Sequence, residues 1–203
     1  MIETSTSYLT TAKGKLTLRF VLISFIAGAI AGTTGDFVHV ITKTDGYPAH
    51  GPFPFLPFLP VNMPIWVPLL FGTAVMLMAG THKIVSPMFQ PRLANRRQLA
   101  LIAPFFFVFV YACTGFIQAG KGWQDAWIAT TAILLWWFAD RTVTGALLAL
   151  LNAVIGTFFE IFLVGIGGFF YYPEHSGLFG VPTWLPWLYM CASICISLFV
   201  RWI

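Results

Sequence analysis

Along the chain, long apolar runs alternate with short stretches that hold most of the charges and prolines. The runs predict helices near 16–38, 64–81, 98–118, 124–139, 143–169 and 183–202. Each is close to the ~20 residues that a helix needs to cross a hydrocarbon layer about 30 Å thick. The shallowest break separates the fourth run from the fifth, where Asp140 and Arg141 are the only charges in a long apolar stretch. Two charges suffice there if the helices form a tight hairpin. The first run is too long for the core of a signal peptide and is read as a retained span.

Composition strengthens this picture. Of 203 residues, 58% are hydrophobic and 9% charged, against roughly 25% charged in a soluble domain. The expectation is therefore an all-α integral membrane bundle of six transmembrane helices, forming one domain over residues 1–203 with no sizeable water-soluble part.

Basic residues set an orientation, because Lys and Arg near span ends resist translocation. With the N-terminus cytoplasmic, nine lie inside (Lys13, Lys15, Arg19, Lys83, Arg92, Arg96, Arg97, Arg141 and Arg201) and two outside, Lys43 and Lys121. This asymmetry requires an even number of spans, with both termini cytoplasmic. It also accounts for the net charge of +4, so no nucleic-acid partner is invoked.

The segment Gly46 to Pro64 carries Pro48, Pro52, Pro54, Pro57, Pro60 and Pro64 among Phe53, Phe55 and Phe58. So many missing amide donors exclude a helix. Bare backbone is intolerable in hydrocarbon, so this loop is expected at the outer interface or against the bundle. Two pentapeptides, Pro64-Ile65-Trp66-Val67-Pro68 and Pro182-Thr183-Trp184-Leu185-Pro186, each open a span from the outside, with proline in the first turn and tryptophan at headgroup level. Small residues at Gly28 and Gly32, and at Gly165, Gly167 and Gly168, are read as helix contacts or as the opening of a groove for a lipid.

Candidate chemistry is sparse. Glu160 lies well inside the fifth run with Asn152 and Thr157 on about the same face, and an ionisable group at membrane depth is a functional candidate by default. Asp36 and His39, one turn apart, are read as a solvated pair. Cys113, Cys191 and Cys195 show no disulfide or zinc spacing and are read as packing residues. His39, His50, His82 and His175 all fall near span ends. No Ser-His-Asp, HExxH or paired-carboxylate arrangement is visible, so no catalytic residue, metal or cofactor is assigned. Inverted halves with broken midplane helices, the mark of a transporter, are not visible either. A small membrane enzyme or transporter acting on lipids stays as the alternative reading.

The most specific motifs are Trp66-Val67-Pro68 with Gly72-Thr73-Ala74, then Trp136-Trp137-x-x-Asp140-Arg141-Thr142-x-Thr144-Gly145, then Trp184-Leu185-Pro186. From Trp66 to the C-terminus, their order and spacing resemble the insulin-induced gene (INSIG) family, with a prokaryotic homologue as one reading of the minimal tails. The first span and the proline-rich loop match poorly. The resemblance implies six spans and a non-enzymatic sensor or adaptor. Eukaryotic members sit in the endoplasmic reticulum, bind oxysterols, retain the sterol-sensing protein SCAP and promote degradation of HMG-CoA reductase. It further implies partner binding at Asp140, whose plain alternative is an N-cap for the fifth helix, and at the adjacent Arg141.

The chain departs from the family pattern at Trp123, where relatives place a glutamine, with Gln124 next to it, and at Glu160, where the family has glutamine. About two residues are also inserted before Trp184. Sterol selectivity is therefore expected to be weaker, with a diacyl lipid competing for the same space. The expected intramembrane cavity has apolar walls from the third to fifth spans, including Phe105, Phe106, Phe109, Trp136, Phe158, Phe159 and Phe162. Gln118, Gln124 and Glu160 are the scarce polar groups nearby, and Trp123 is placed at the ligand as well. Partners are then a membrane lipid or sterol and other membrane proteins, SCAP-like in a eukaryote, with a homo-oligomer left open. The location is the endoplasmic reticulum membrane in a eukaryote or the inner membrane in a prokaryote.

Overall fold

The computed structural model describes residues 16–49, 54–56, 61–89, 97–117 and 120–203. Among them run six α-helices: α1 Leu18–Ile41, α2 Trp66–Phe89, α3 Arg97–Phe116, α4 Lys121–Leu135, α5 Val143–Gly165 and α6 Leu185–Val200. The bundle is that of an integral membrane protein. In α1, α2, α3 and α5 the helix is long and apolar enough to cross a membrane. The expected second run stopped short, since α2 continues to Phe89, and the fifth ran too far, since α5 ends at Gly165.

Local chemistry fixes these ends. Thr17 caps α1, its hydroxyl accepting from Phe20 N at 3.2 Å, and Thr142 caps α5 through Gly145 N at 2.9 Å, each satisfying a donor that the first turn leaves free. At the other end of α5, Gly168 N bonds Leu163 O and Gly167 N bonds Val164 O, with Gly167 at φ 73°. This is a Schellman closure, in which glycine takes the left-handed conformation at no steric cost. Gly165, Gly167 and Gly168 are thus not helix contacts. An added Cβ at Gly165 or Gly167 meets nothing within 4 Å.

Helix α6 is the buried centre. From Cys191 to Val200 every residue is buried, and α6 touches α2, α3, α4 and α5. Around it, outward positions are apolar: Ile26 and Ile30 on α1, Leu147, Val154 and Phe158 on α5 are all exposed. That is the reverse of a soluble surface and suits a hydrocarbon surround. The tightest pairing is α1 with α2, where Gly28 and Gly32 lie directly against Val75 and Phe71, small residues letting the backbones approach.

The ends of the bundle differ. At one, Phe20, Ala79, Ile196 and Val200 cluster, Lys83 lies 4.7 Å from the Phe20 ring, and Arg201 reaches Asp140. At the other, a two-residue antiparallel ladder pairs Asp45 with Tyr171 and Gly46 with Phe170. Beside it, the described part of the proline-rich segment folds onto the bundle. Phe55 bridges Pro64, and Leu56 and Met63 pack with Val67 of α2. This cover corrects two expectations. Asp36 and His39 are 4% and 0% exposed, so they are not solvated, and Trp184 is buried against the His39 ring rather than placed among headgroups.

Candidate functional site

A cavity opens between α1, α2, α5 and α6, with one side of α3. Counted with its mouth and the open space there, it amounts to about 1160 Å³. Toward the Arg201 end its wall is apolar, built from Ala27, Ala31, Val75, Met78, Ile196 and Phe199. Toward the ladder it becomes polar, with Asp36 of α1, Tyr111 of α3, Glu160 of α5 and Tyr189 of α6, joined by Tyr47 and Tyr171 from the covering loops. No lysine, arginine or histidine is among its described lining residues.

Helical register brings these groups to one depth. Asp36, Tyr111 and Glu160 each lie five residues before the last residue of their helices, and Tyr189 lies four residues after the first of α6. The carboxylates are held by phenols. Tyr171 and Tyr189 donate to Glu160 Oε2 and Oε1 at 2.5 and 2.7 Å, and Tyr47 donates to Asp36 Oδ2 at 2.7 Å. Burial, reinforced by the neighbouring carboxylates, pushes the Tyr47 and Tyr171 phenols well above the usual tyrosine range. Both therefore stay protonated and act as donors.

Behind the polar end stands a second buried row. His39 Nε2 lies 2.6 Å from Thr114 Oγ1, and His39 Nδ1 lies 3.4 Å from Asp45 Oδ2. Burial pushes the Asp45 carboxyl up, with the Glu160 charge adding to it. The order acid, imidazole, hydroxyl resembles a nucleophile relay. Thr114, however, is 0% exposed, and its hydroxyl donates to Tyr111 O at 2.6 Å. Attack needs an accessible oxygen. What this row does is tie the Asp45 loop to α1 and α3.

The residues expected at the ligand are placed unevenly. Glu160 and Phe159 line the cavity. Trp123 is 76% exposed and Phe109 64% exposed, both pointing away from it. On α4 the inward face is Gln124, Ile128 and Ala132, one turn apart and all buried, which leaves Trp123 about 100° to one side. Gln124 instead donates to Thr114 O at 2.6 Å. On α3 the inward face is Pro104, Phe107 and Tyr111, so Phe105 and Phe109 turn outward. Trp136 sits at the opposite end, donating to Thr142 O at 2.9 Å, and Gln118 lies outside the described residues. The walls thus come mainly from α1, α2 and α6, with three residues each from α3 and α5 and none from α4 among the described lining residues. Tyr47, Tyr111, Tyr171 and Tyr189 were missed. Tyr111 and Tyr189 carried a signal, being tyrosines inside apolar runs whose hydroxyls need a partner.

At the opposite end, Trp136–Asp140 form one π-turn closing α4, followed by Arg141 at φ 56°. Asp140 is fully buried. Its Oδ1 accepts from Arg201 Nη2 at 2.5 Å and from Thr142 Oγ1 at 2.6 Å. Thr142, not Asp140, caps α5, which corrects the N-cap alternative. Arg141 is the exposed member, its guanidinium 5.2 Å from the Trp137 ring centroid.

No protein-family model matches the chain. A curated INSIG protein homolog of Mycolicibacterium vanbaalenii is 29% identical over 184 residues, covering 91% of this chain and 86% of that one. Two crystal structures are also similar: the mycobacterial Insig homolog MvINS (TM-score 0.81) and a cross-linked trimer of a cysteine variant of MvINS (TM-score 0.82). Each is 29% identical to this chain, covering 92% of it and 95% of the other.

Proposed function

Because the chain is INSIG-like in sequence and in fold, we propose that it is a non-enzymatic membrane sensor or adaptor that holds a lipid or sterol in its intramembrane cavity. The observation that carries this reading is the cavity itself, apolar along most of its wall and polar at one end. An amphiphile needs that gradient, with its chains against Ala31, Val75 and Phe199 and its head near Asp36 and Glu160. The test is lipid extraction from the purified protein with mass spectrometry, on wild type and on Ala31→Phe, which fills the cavity from α1. The expected result is one dominant lipid in stoichiometric amount from wild type and about tenfold less from the variant, since the added ring displaces part of the buried lipid chain and forfeits about 1–2 kcal/mol of apolar burial. Equal recovery from both proteins, at equal thermal stability, sinks the reading.

All six helices span the membrane in this proposal, with both termini and Arg141 on the cytoplasmic side and the ladder on the other. The basic residues Arg19, Lys83, Arg141 and Arg201 support it, since their helix positions put them at one end of the bundle. Single cysteines at positions 141 and 174, both exposed, are introduced after Cys113, Cys191 and Cys195 are replaced by serine. An impermeant thiol reagent is expected to label them from opposite sides of sealed vesicles. Labelling from the same side overturns the topology.

The bacterial relative supports an inner-membrane location and, through its cross-linked trimer, a homo-oligomer. For adaptor function, the exposed Arg141 beside Trp137 is the group a protein partner can touch, and buried Asp140 holds that corner in shape. In a bacterial cell the partner is a membrane protein other than SCAP.

A further inference from the structure

We propose that the polar end of the cavity takes the protonated amine head of an amphiphile in preference to a neutral or anionic head. This rests on the lipid-cavity reading and names the class of ligand within it. Two carboxylates, Asp36 and Glu160, face a space whose other polar groups are phenols and one indole, with no cationic side chain among the described lining residues. An anionic head finds no cationic partner there, in a poorly solvated setting where an unpaired charge is costly.

Two atoms also await a partner. Tyr111 is 6% exposed and Asp36 4%. Among the described residues, the Tyr111 hydroxyl and Asp36 Oδ1 take part in no hydrogen bond, although Asp36 Oδ2 accepts from Tyr47. Such buried groups are normally satisfied. An ammonium brings three donors and no acceptor, so it can serve the free carboxylate oxygen and the lone pair of the Tyr111 oxygen together. The rings around them suit a cation as well. Tyr47, Trp66, Phe71 and Tyr111 all line the cavity, with Tyr47 edge to face on Trp66 at 5.7 Å and Phe71 at 6.4 Å from Tyr111, and an aromatic ring attracts a cation placed over its face. A hydroxyl head satisfies the same atoms but compensates no charge.

The experiment compares oleylamine, oleyl alcohol and oleic acid, which share a chain and differ in the head. Binding of each labelled compound to the delipidated full-length protein is measured in neutral detergent at neutral pH. The expected order is the amine, then the alcohol about tenfold weaker, then the acid weaker still, because charge compensation and cation–π contact each favour the amine. Asp36→Asn is expected to bring the amine within about threefold of the alcohol, roughly the discrimination that cation–π contact alone supplies. If that variant does not fold, Glu160→Gln is expected to narrow the gap in the same direction. Saturable binding of all three with equal affinity overturns the head preference and leaves the cavity reading intact. Failure of all three to bind saturably overturns both. A preference for the amine that survives Asp36→Asn and Glu160→Gln undiminished also overturns the assignment, since the carboxylates would not be its source.

Discussion

Arg201→Ala is expected to destabilise the protein by about 3 kcal/mol, the lower end of the range for breaking a buried ion pair. Asp140 is 0% exposed and Arg201 28%, so solvent screens the guanidinium partly and the carboxylate not at all. With the guanidinium gone, Oδ1 keeps the Thr142 hydroxyl at 2.6 Å. Oδ2 has no hydrogen-bond partner among the described residues even in the intact protein. A buried carboxylate with one hydrogen bond is the costly state. Removing its charge as well, in Asp140→Asn with Arg201→Ala, is therefore expected to recover about half of the loss, a coupling that a double-mutant cycle in detergent thermal unfolding reads directly. A cost below about 1 kcal/mol for the single change would place the pair among weak surface contacts. The same variants separate position from contact in partner binding. Asp140→Asn acts by loosening the π-turn that presents Arg141, so it is expected to weaken partner capture in step with stability. Arg141→Ala is expected to weaken capture with stability unchanged.

The two ends of the molecule also show what a sequence can reveal. The existence of six helices was legible because apolar runs and charge clusters alternate at bilayer length, a signal that does not depend on packing. Which face of each helix turns inward was not legible. On α3 the run from Phe105 to Tyr111 is apolar or aromatic at every position, and nothing in its periodicity distinguishes the buried Tyr111 side from the lipid side. Trp123 and Gln124 are adjacent, yet only Gln124 turns inward. Glu160 stood out as a lone carboxylate in an apolar run. Its donors Tyr171 and Tyr189 are 11 and 29 residues away, and one of them comes from a loop. Asp140 was legible through its motif, whereas its partner Arg201 is 61 residues away. The solvated reading of Asp36 and His39 failed for a related reason. Closeness to a helix end suggests water, and the covering ladder forms only when residues 45–46 meet 170–171.

Gly35→Ala is expected to be the most damaging single methyl group in the bundle. A Cβ there lies 2.0 Å from Tyr111 Cδ1, well inside contact distance. The Tyr111 ring has little room to yield. It meets His39 edge to face at 4.6 Å and lies 5.7 Å from the Phe107 ring. Either α1 moves off α3, stretching the 2.6 Å contact between His39 and Thr114, or Tyr111 is driven into the cavity it lines. Overpacking of this kind costs about 1–3 kcal/mol, and the shared hydrogen-bond loss puts Gly35→Ala near the top of that range. The control is Gly165→Ala, one helix away. Its Cβ meets nothing within 4 Å, and it closes the last turn of α5, so exchanging glycine for the better helix former is expected to be neutral or to stabilise by up to about 1 kcal/mol. Thermal unfolding in one detergent reads both, and extraction of bound lipid gives an independent second readout. Gly35→Ala is expected to lose stability and lipid together, because Tyr111 and Asp36 stand on either side of the substituted position. Equal stability of the two variants would show that α1 and α3 separate freely, and the polar end of the cavity would then not be the rigid site described above.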